Sequence, residues 1–314
     1  MNDSDNAQTK EPSAKQTVGL LTCSMAADLD LFALLAETAD RHVASDVPHD
    51  VVVPAVDVAA FRRFETGARR IIAQEDVLPE RIRKLPSWLR FFSGLAPGLR
   101  RPLYLRADRS VVRGWMLQQF LKIEMARRSS QDATMHIDSD VGFFRHFSHE
   151  DAFVNGKVRY FRVTSPNGNP KHNDWVAASC RFLGLEIPDH HPANYIENCV
   201  LWSTATTRAM VERIETTQGK PLYEVLFGSD TMSEYYLYGI FAEAFPGHAD
   251  LVVEDVSFCN SYWPPEEQST VDFEVLRAGL NPKHCALAVQ STHLLDISER
   301  AQLYQNAERE LGHR

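Results

Sequence analysis

Apolar residues fall in short runs separated by helical stretches. Val18-Gly19-Leu20-Leu21-Thr22-Cys23 is a continuous apolar run of strand length, the pattern of a buried strand. Ser24 follows it and is placed to cap a helix starting near Ala26, whose Leu29, Phe32, Leu35 and Ala36 recur at helical spacing. His49 to Pro54, with Val51-Val52-Val53, predicts a second strand, and Asp57 stands where it can cap a helix carrying Phe61 and Phe64. Ile71 and Ile72 predict a third strand. This strand–helix alternation predicts an α/β protein with a parallel, Rossmann-type sheet flanked by helices. Ligands of such sheets sit beyond the C-terminal strand ends, which makes Thr22, Ser24 and Asp57 candidate nucleotide contacts.

Further along, Trp115 to Arg127 predicts an amphipathic helix buried through Met116, Leu117, Phe120, Leu121 and Ile123. It leads into a strand, Ala133 to Ile137, that ends at Asp138-Ser139-Asp140. Val158 to Val163, Leu251 to Val253 and Ala286 to Gln290 predict strands. Asp174 to Leu183, Thr204 to Thr217, Ser233 to Phe245 and Ser298 to Leu311 predict helices, with Ser298 a candidate cap. No repeat or linker breaks the pattern. The expectation is a polar, disordered lead over residues 1–16 and one continuous domain over 17–314, with a nucleotide half (17–145) and an acceptor half (146–314).

Composition narrows the function. The 314 residues carry a formal net charge of −9, which argues against nucleic acid as a partner. No apolar run is long enough to cross a bilayer, and the N-terminus lacks the apolar core of a signal peptide, so the expected location is cytoplasmic. Five scattered cysteines fit reduced thiols better than a disulfide framework or zinc site. Against the acidic background, Arg81 to Arg106 holds seven cations and no acid, interleaved with Trp88, Phe91, Phe92, Leu95 and Tyr104. That segment reads either as a peripheral contact with the inner face of a membrane or an anionic acceptor, or as the basic face of a subdomain.

The acid pair carries the chemistry. Two carboxylates at a strand tip repel unless a cation or proton lies between them. Asp138 and Asp140 share a side if the strand continues, and Mg²⁺ or Mn²⁺ takes one or two carboxylates and completes its shell with water and phosphate. The same pair reads otherwise as a solvated strand-end turn. Gln118, Gln119 and Lys122 lie one helix earlier, and Gln118 and Lys122 share a face suited to a phosphate or ribose. Glu234 at a helix start, or Glu197, is the candidate general base for an acceptor hydroxyl. Trp175, Trp202 and Tyr235 are candidate sugar platforms or core residues. Asp189-His190-His191 lacks metal-ligand spacing.

Several segments occur together and in order: Thr22-Cys23-Ser24 then Asp28-Leu29, Val51 to Pro54, Glu75-Asp76-Val77-Leu78-Pro79, Arg113 to Lys122, Ile137 to Val141, Tyr195 to Asn198, and Ser233 to Gly239. In these the chain resembles a largely uncharacterised bacterial family of glycosyltransferase-like proteins with the GT-A, nucleotide-diphospho-sugar transferase fold. The resemblance implies a GT-A-like mixed sheet with the DxD at a central strand end. It implies Mn²⁺ or Mg²⁺ on Asp138 and Asp140, and a third ligand such as His293 after the last strand. It implies a nucleotide-sugar donor, UDP-linked as the first expectation, and a glycan or lipid-linked acceptor from lipopolysaccharide, capsule or exopolysaccharide synthesis. The competing readings are a nucleotidyltransferase or sugar-nucleotide hydrolase on the same fold, and a non-catalytic sugar- or lipid-binding protein. The first of these normally wants a Gly-rich phosphate loop, which Thr22 to Ala26 does not supply.

Overall fold

A computed structural model describes residues 15–84, 104–106, 111–165, 168–262, 271, 273–290 and 295–311. The principal sheet has the order β13 (Val200–Ser203), β7 (Ala133–His136), β1 (Val18–Cys23), β2 (His49–Val53) and β3 (Arg69–Ala73). β7, β1, β2 and β3 are parallel and β13 is antiparallel to β7, so the fold is mixed α/β. A three-stranded sheet joins β8 (Val141–Phe143), β16 (Ala286–Val289) and β15 (Cys259–Tyr262). Smaller sheets are β9 (Phe153–Val154), β10 (Lys157–Phe161) and β14 (Leu251–Glu254); β11 (Val163–Thr164) with β12 (Ala193–Asn194); and β4 (Arg83–Lys84), β5 (Tyr104–Leu105) and β6 (Val111–Val112).

The helices are α1 (Leu29–His42), α2 (Val58–Phe61), α3 (Gln74–Val77), α4 (Gly114–Arg128) and α5 (Asn173–Leu183), followed by α6 (Thr204–Gln218), α7 (Leu222–Phe227), α8 (Glu234–Ala244), α9 (Phe273–Ala278) and α10 (Ile297–Leu311). The two expected halves interleave. β13 from the second half completes the principal sheet, and β8 from the first half joins β15 and β16. Of the expected lead, Gln16 is described, and its amide donates to the Gly156 carbonyl at 2.8 Å.

Strand alternation feeds two cores. Leu21 and Val52 pack with α4 to α8, whereas Val18, Leu20, Val51 and Val53 pack with α1, α2 and the β8 sheet. Both faces of the strands are therefore buried, which is why β1 and β2 read as continuous apolar runs. α4 departs from its amphipathic expectation. Met116, Leu117, Phe120 and Ile123 are buried, but so are Gln119, Lys122 and Glu124, because α4 is wedged between the sheet and α6, α7 and α8. Glu124 answers its burial by pairing with Arg127 and Arg128 at 2.6 and 2.5 Å.

Helix starts also differ in detail. Ser24 does not cap the first helical turn; the Asp57 carboxylate accepts the Ala26 N–H at 2.9 Å instead. That bond ties the β1 and β2 loops together, and Asp57 makes no side-chain cap on its own helix. At α10, Asp296 rather than Ser298 accepts the Glu299 N–H at 2.9 Å.

Gly142 on β8 lies flat against Tyr304 of α10. A Cβ there would sit 2.5 Å from the ring, so Gly142→Ala forces strand and helix apart. The expected cost is about 1–3 kcal/mol, read as a melting temperature several degrees below that of the parent chain. An unchanged melting temperature would mean that Tyr304 gives way freely.

Candidate functional site

Strand order reverses between β1 and β7: β2 and β3 continue on one side of β1, and β7 lies on the other. That is a topological switch point, where loops leaving the C-terminal strand ends part and open a crevice. Here the loops are Ser24–Asp28 after β1 and Ile137–Asp140 after β7, joined by the Ser139 hydroxyl donating to Ser24 Oγ at 2.8 Å. A cleft of about 210 Å³ opens over the ends of β1, β2 and β3. Cys23, Ser24, Pro54 and Gln74 line it from the sheet, and Trp115, Gln118 and Leu121 from α4. Its far wall is braced by Tyr104, whose hydroxyl donates to Glu75 Oε1 at 3.0 Å and meets the Gln74 amide, while Glu75 Oε2 accepts Ala55 N–H at 2.8 Å.

Beneath the crevice four expected site residues meet. Lys122 Nζ stands 3.3 Å from Asp138 Oδ1 and 3.2 Å from Glu234 Oε1, and donates to the Tyr235 hydroxyl at 3.3 Å. Gln119 Oε1 accepts the Glu234 backbone N–H at 2.8 Å, fixing the start of α8. The Lys122 and Glu234 side chains are both 6% exposed, whereas Asp138 is 45% exposed. Burial works to discharge the ammonium, but Asp138, Tyr235 and Glu234 outweigh it and hold the Lys122 pKa well above its usual value. Cys23, beside this cluster, is pushed up to about 12 by burial. His136, last in β7 and packed on Trp202 with ring centroids 4.0 Å apart, is driven well below its usual range by burial and then by Lys122.

The acid pair does not lie on one continuing strand. β7 ends at His136, and residues 139 and 140 form a turn closed by Val141 N–H on the Asp138 carbonyl at 3.3 Å. The two-residue alternation expected of Asp138 and Asp140 is therefore lost. Asp138 turns to α4, while Asp140 is 8% exposed and is an electrostatic neighbour of Tyr304 and Cys259 on the β15–α10 side. The Tyr304 hydroxyl donates to the Asp140 carbonyl at 2.8 Å, so the C-terminal helix holds the turn in place.

Because β13 is antiparallel to β7, its N-terminal end lies at this same edge and brings Glu197 with it. Burial raises the Glu197 pKa; a Ser261 hydrogen bond and the Asn198 N–H, at 2.8 Å, work against that rise. The backbone here is strained: Cys199 has φ 56°, a conformation rarely taken by residues other than glycine. Its thiol shares a hydrogen bond with the free thiol of Cys259, with Cys285 beside them. Three cysteines that are scattered in sequence thus pack together behind Glu197.

Other expected residues fall elsewhere. Thr22 lies on the α1 side of β1, with Leu20, and its hydroxyl meets His49 Nε2 at 3.0 Å. Arg69 Nε donates to His49 Nδ1 at 3.2 Å, so the neutral ring carries its proton on Nε2 and donates to Thr22. Thr22 is therefore no cleft residue. Cys23, one position on, takes that place. Asp57 serves the loop tie already described, and Trp202 is fully buried. His293 lies outside the described residues, as do Arg90, Arg100, Arg101, Trp88, Phe91, Phe92 and Leu95 of the basic segment. Within that segment Arg81 reaches Glu224 at 3.7 Å, Arg106 donates to the Phe227 carbonyl at 3.3 Å, and Tyr104 is buried. Among the described residues no three His, Cys, Asp or Glu side chains converge as a metal cage, and no helix is long and apolar enough to cross a membrane.

Residues 18–279 match the profile of a protein family, DUF6492, described as a family of unknown function. The chain belongs to this family. The matched stretch includes the switch-point loops, α4, Glu197 and the start of α8, and it stops before β16 and α10, which carries Tyr304. No curated protein matches the DUF6492 chain.

Proposed function

We propose that this DUF6492 protein is a metal-dependent glycosyltransferase of GT-A type. It moves a sugar from a nucleotide-sugar, UDP-linked as the first choice, to a glycan or lipid-linked acceptor. The observation that carries the reading is the switch-point cleft, with the half-exposed Asp138 on a turn whose Ser139 bonds to the Ser24 that lines the cleft. A nucleoside diphosphate has the shape and charge for such a crevice if a hard cation meets its phosphates. Asp138 and the Ser24 and Ser139 hydroxyls offer hard oxygen donors of the kind that Mg²⁺ or Mn²⁺ takes. Asp138, half-exposed on the turn, would hold the cation, and the cation would neutralise the diphosphate as it departs.

The residues of the chain have distinct work in this reading. Ser24, Gln118 and Gln74 line the cleft and meet the base and ribose. Lys122 orients the Asp138 carboxylate and keeps a positive charge under the crevice. Glu234, the first sequence choice for a base, is sequestered against Lys122 and serves to fix that ammonium. Glu197 is the better base, because a carboxylate whose pKa is raised by burial accepts a proton more readily. It would take the proton of the acceptor hydroxyl as that oxygen attacks the anomeric carbon.

The test is Asp138→Asn. Asp138 is half-exposed and Lys122 retains Glu234, so the fold should survive. Release of free nucleoside diphosphate from the cognate nucleotide-sugar is expected to fall by about a hundredfold, on the order of one charged contact in a water-poor site. Turnover at the parent rate would remove Asp138 from the reading.

A further inference from the structure

Beside the cleft an aromatic group remains that donor binding does not use. Trp115, in the first turn of α4, lines the cleft and is 43% exposed, an unusual state for the largest apolar side chain. Trp175 of α5 meets it with ring centroids 5.9 Å apart. His172 stacks on Trp175 at 4.6 Å and 18°. That imidazole is pinned at both nitrogens. The Asn169 amide donates to Nε2 at 3.1 Å, and Nδ1 donates to the Tyr236 hydroxyl at 2.7 Å. Tyr236 in turn donates to the Ala193 carbonyl at 3.3 Å. Burial lowers the pKa of His172, which keeps the ring neutral and this donor order intact at pH 7. The platform is thus rigid before any ligand arrives, so little ordering entropy is lost when one binds.

We infer that Trp115 and Trp175 form a saccharide subsite, which receives a sugar ring of the acceptor at the mouth of the cleft. The inference rests on the glycosyl-transfer reading and deepens it by naming the acceptor class. A pyranose offers an apolar face of C–H groups and a rim of hydroxyls. The exposed Trp115 indole meets the face, with Trp175 packed behind it. A lipid tail would need a continuous apolar groove. Tyr236 connects the platform to α8, two residues beyond Glu234, so acceptor and donor sides share one rigid mount.

The experiment uses the full chain and saturation-transfer NMR with tetrasaccharides of β-linked glucose, galactose and N-acetylglucosamine. Thermal shifts with UDP and Mn²⁺ run in parallel. At least one tetrasaccharide is expected to take up saturation from aromatic protons. Trp115→Ala and, as the milder variant, Trp175→Phe are expected to weaken it, the first by about tenfold. Trp175→Phe, outside the cleft lining, should leave the UDP shift unchanged. No transfer to any of the three saccharides would overturn the inference, and so would a Trp115→Ala variant that loses the UDP shift, which would make Trp115 a base-stacking residue. Saccharide binding through Trp115 with no response to any nucleotide would uphold the subsite and remove the transferase reading instead.

Discussion

Lys122→Met should lower the unfolding free energy by about 3–5 kcal/mol, the cost of leaving a buried charge unpaired. The methionine matches the volume, so packing is nearly conserved. What is lost is the ammonium between Glu234 and Asp138. Asp138 can turn to water, but Glu234 is 6% exposed and cannot. The discriminating variant is therefore Lys122→Met with Glu234→Gln, which removes the stranded charge and should recover most of the loss. Urea titrations of the parent, both single variants and the double variant give the coupling directly. A double variant no more stable than Lys122→Met would show that the pair is not the source of the loss.

Acid should destabilise the protein early. His49 is held neutral by burial and by Arg69, with its pKa lowered to about 3, and His284 is lowered to about 4 by burial and by Arg145. Both titrate near 6.5 when unfolded. Between the folded and unfolded values the unfolded chain binds the extra proton, so stability rises with pH there. The contribution is whole above pH 6.5 and is lost as pH falls towards the folded value. Each histidine gives about 1.4 kcal/mol per pH unit, or about 2.5 kcal/mol between pH 6.5 and 4.5. Together they remove on the order of 5 kcal/mol, comparable with the whole stability of many domains. His136, shifted in the same direction, adds to the loss. Urea midpoints at pH 7 and 4.5 measure the fall, and His49→Gln should show a fall smaller by about 2.5 kcal/mol. Equal falls in variant and parent would mean that His49 is protonated in the native state.

The sheet was legible because its strands are buried on both faces and write their apolar runs plainly. The run 18–23 became β1, and Val51 to Val53 fell within β2. The residues that meet around Lys122 could be singled out by type but not by geometry. Alternation along β1 would have set Thr22 with Leu20 and turned Cys23 to α4, had the face of each core been known. The spacing sets Lys122 on a ligand-facing side of the helix with Gln118 and does not show its burial, since a buried lysine and a surface lysine are spelled alike. Its burial depends on Glu234, 112 positions further on, and no local pattern couples the two. The same holds for Tyr304, whose bond to the Asp140 carbonyl joins the end of the chain to the acid turn. Gly142 and the tyrosine were visible, but not their contact. The turn after β7 was hidden because Asp138-Ser139-Asp140 reads equally as strand or turn.

The most direct test of the central claim is a thermal-shift titration with UDP-, GDP-, ADP-, CMP- and TDP-linked sugars, each with and without Mn²⁺. A ligand that binds only the folded state stabilises it by RT ln(1 + [L]/Kd), so the melting temperature rises with ligand concentration. The account predicts a rise with one nucleotide class, present with Mn²⁺, absent without it, and lost in Asp138→Asn. No rise with any of the five, or an equal rise without metal and in the variant, would contradict it.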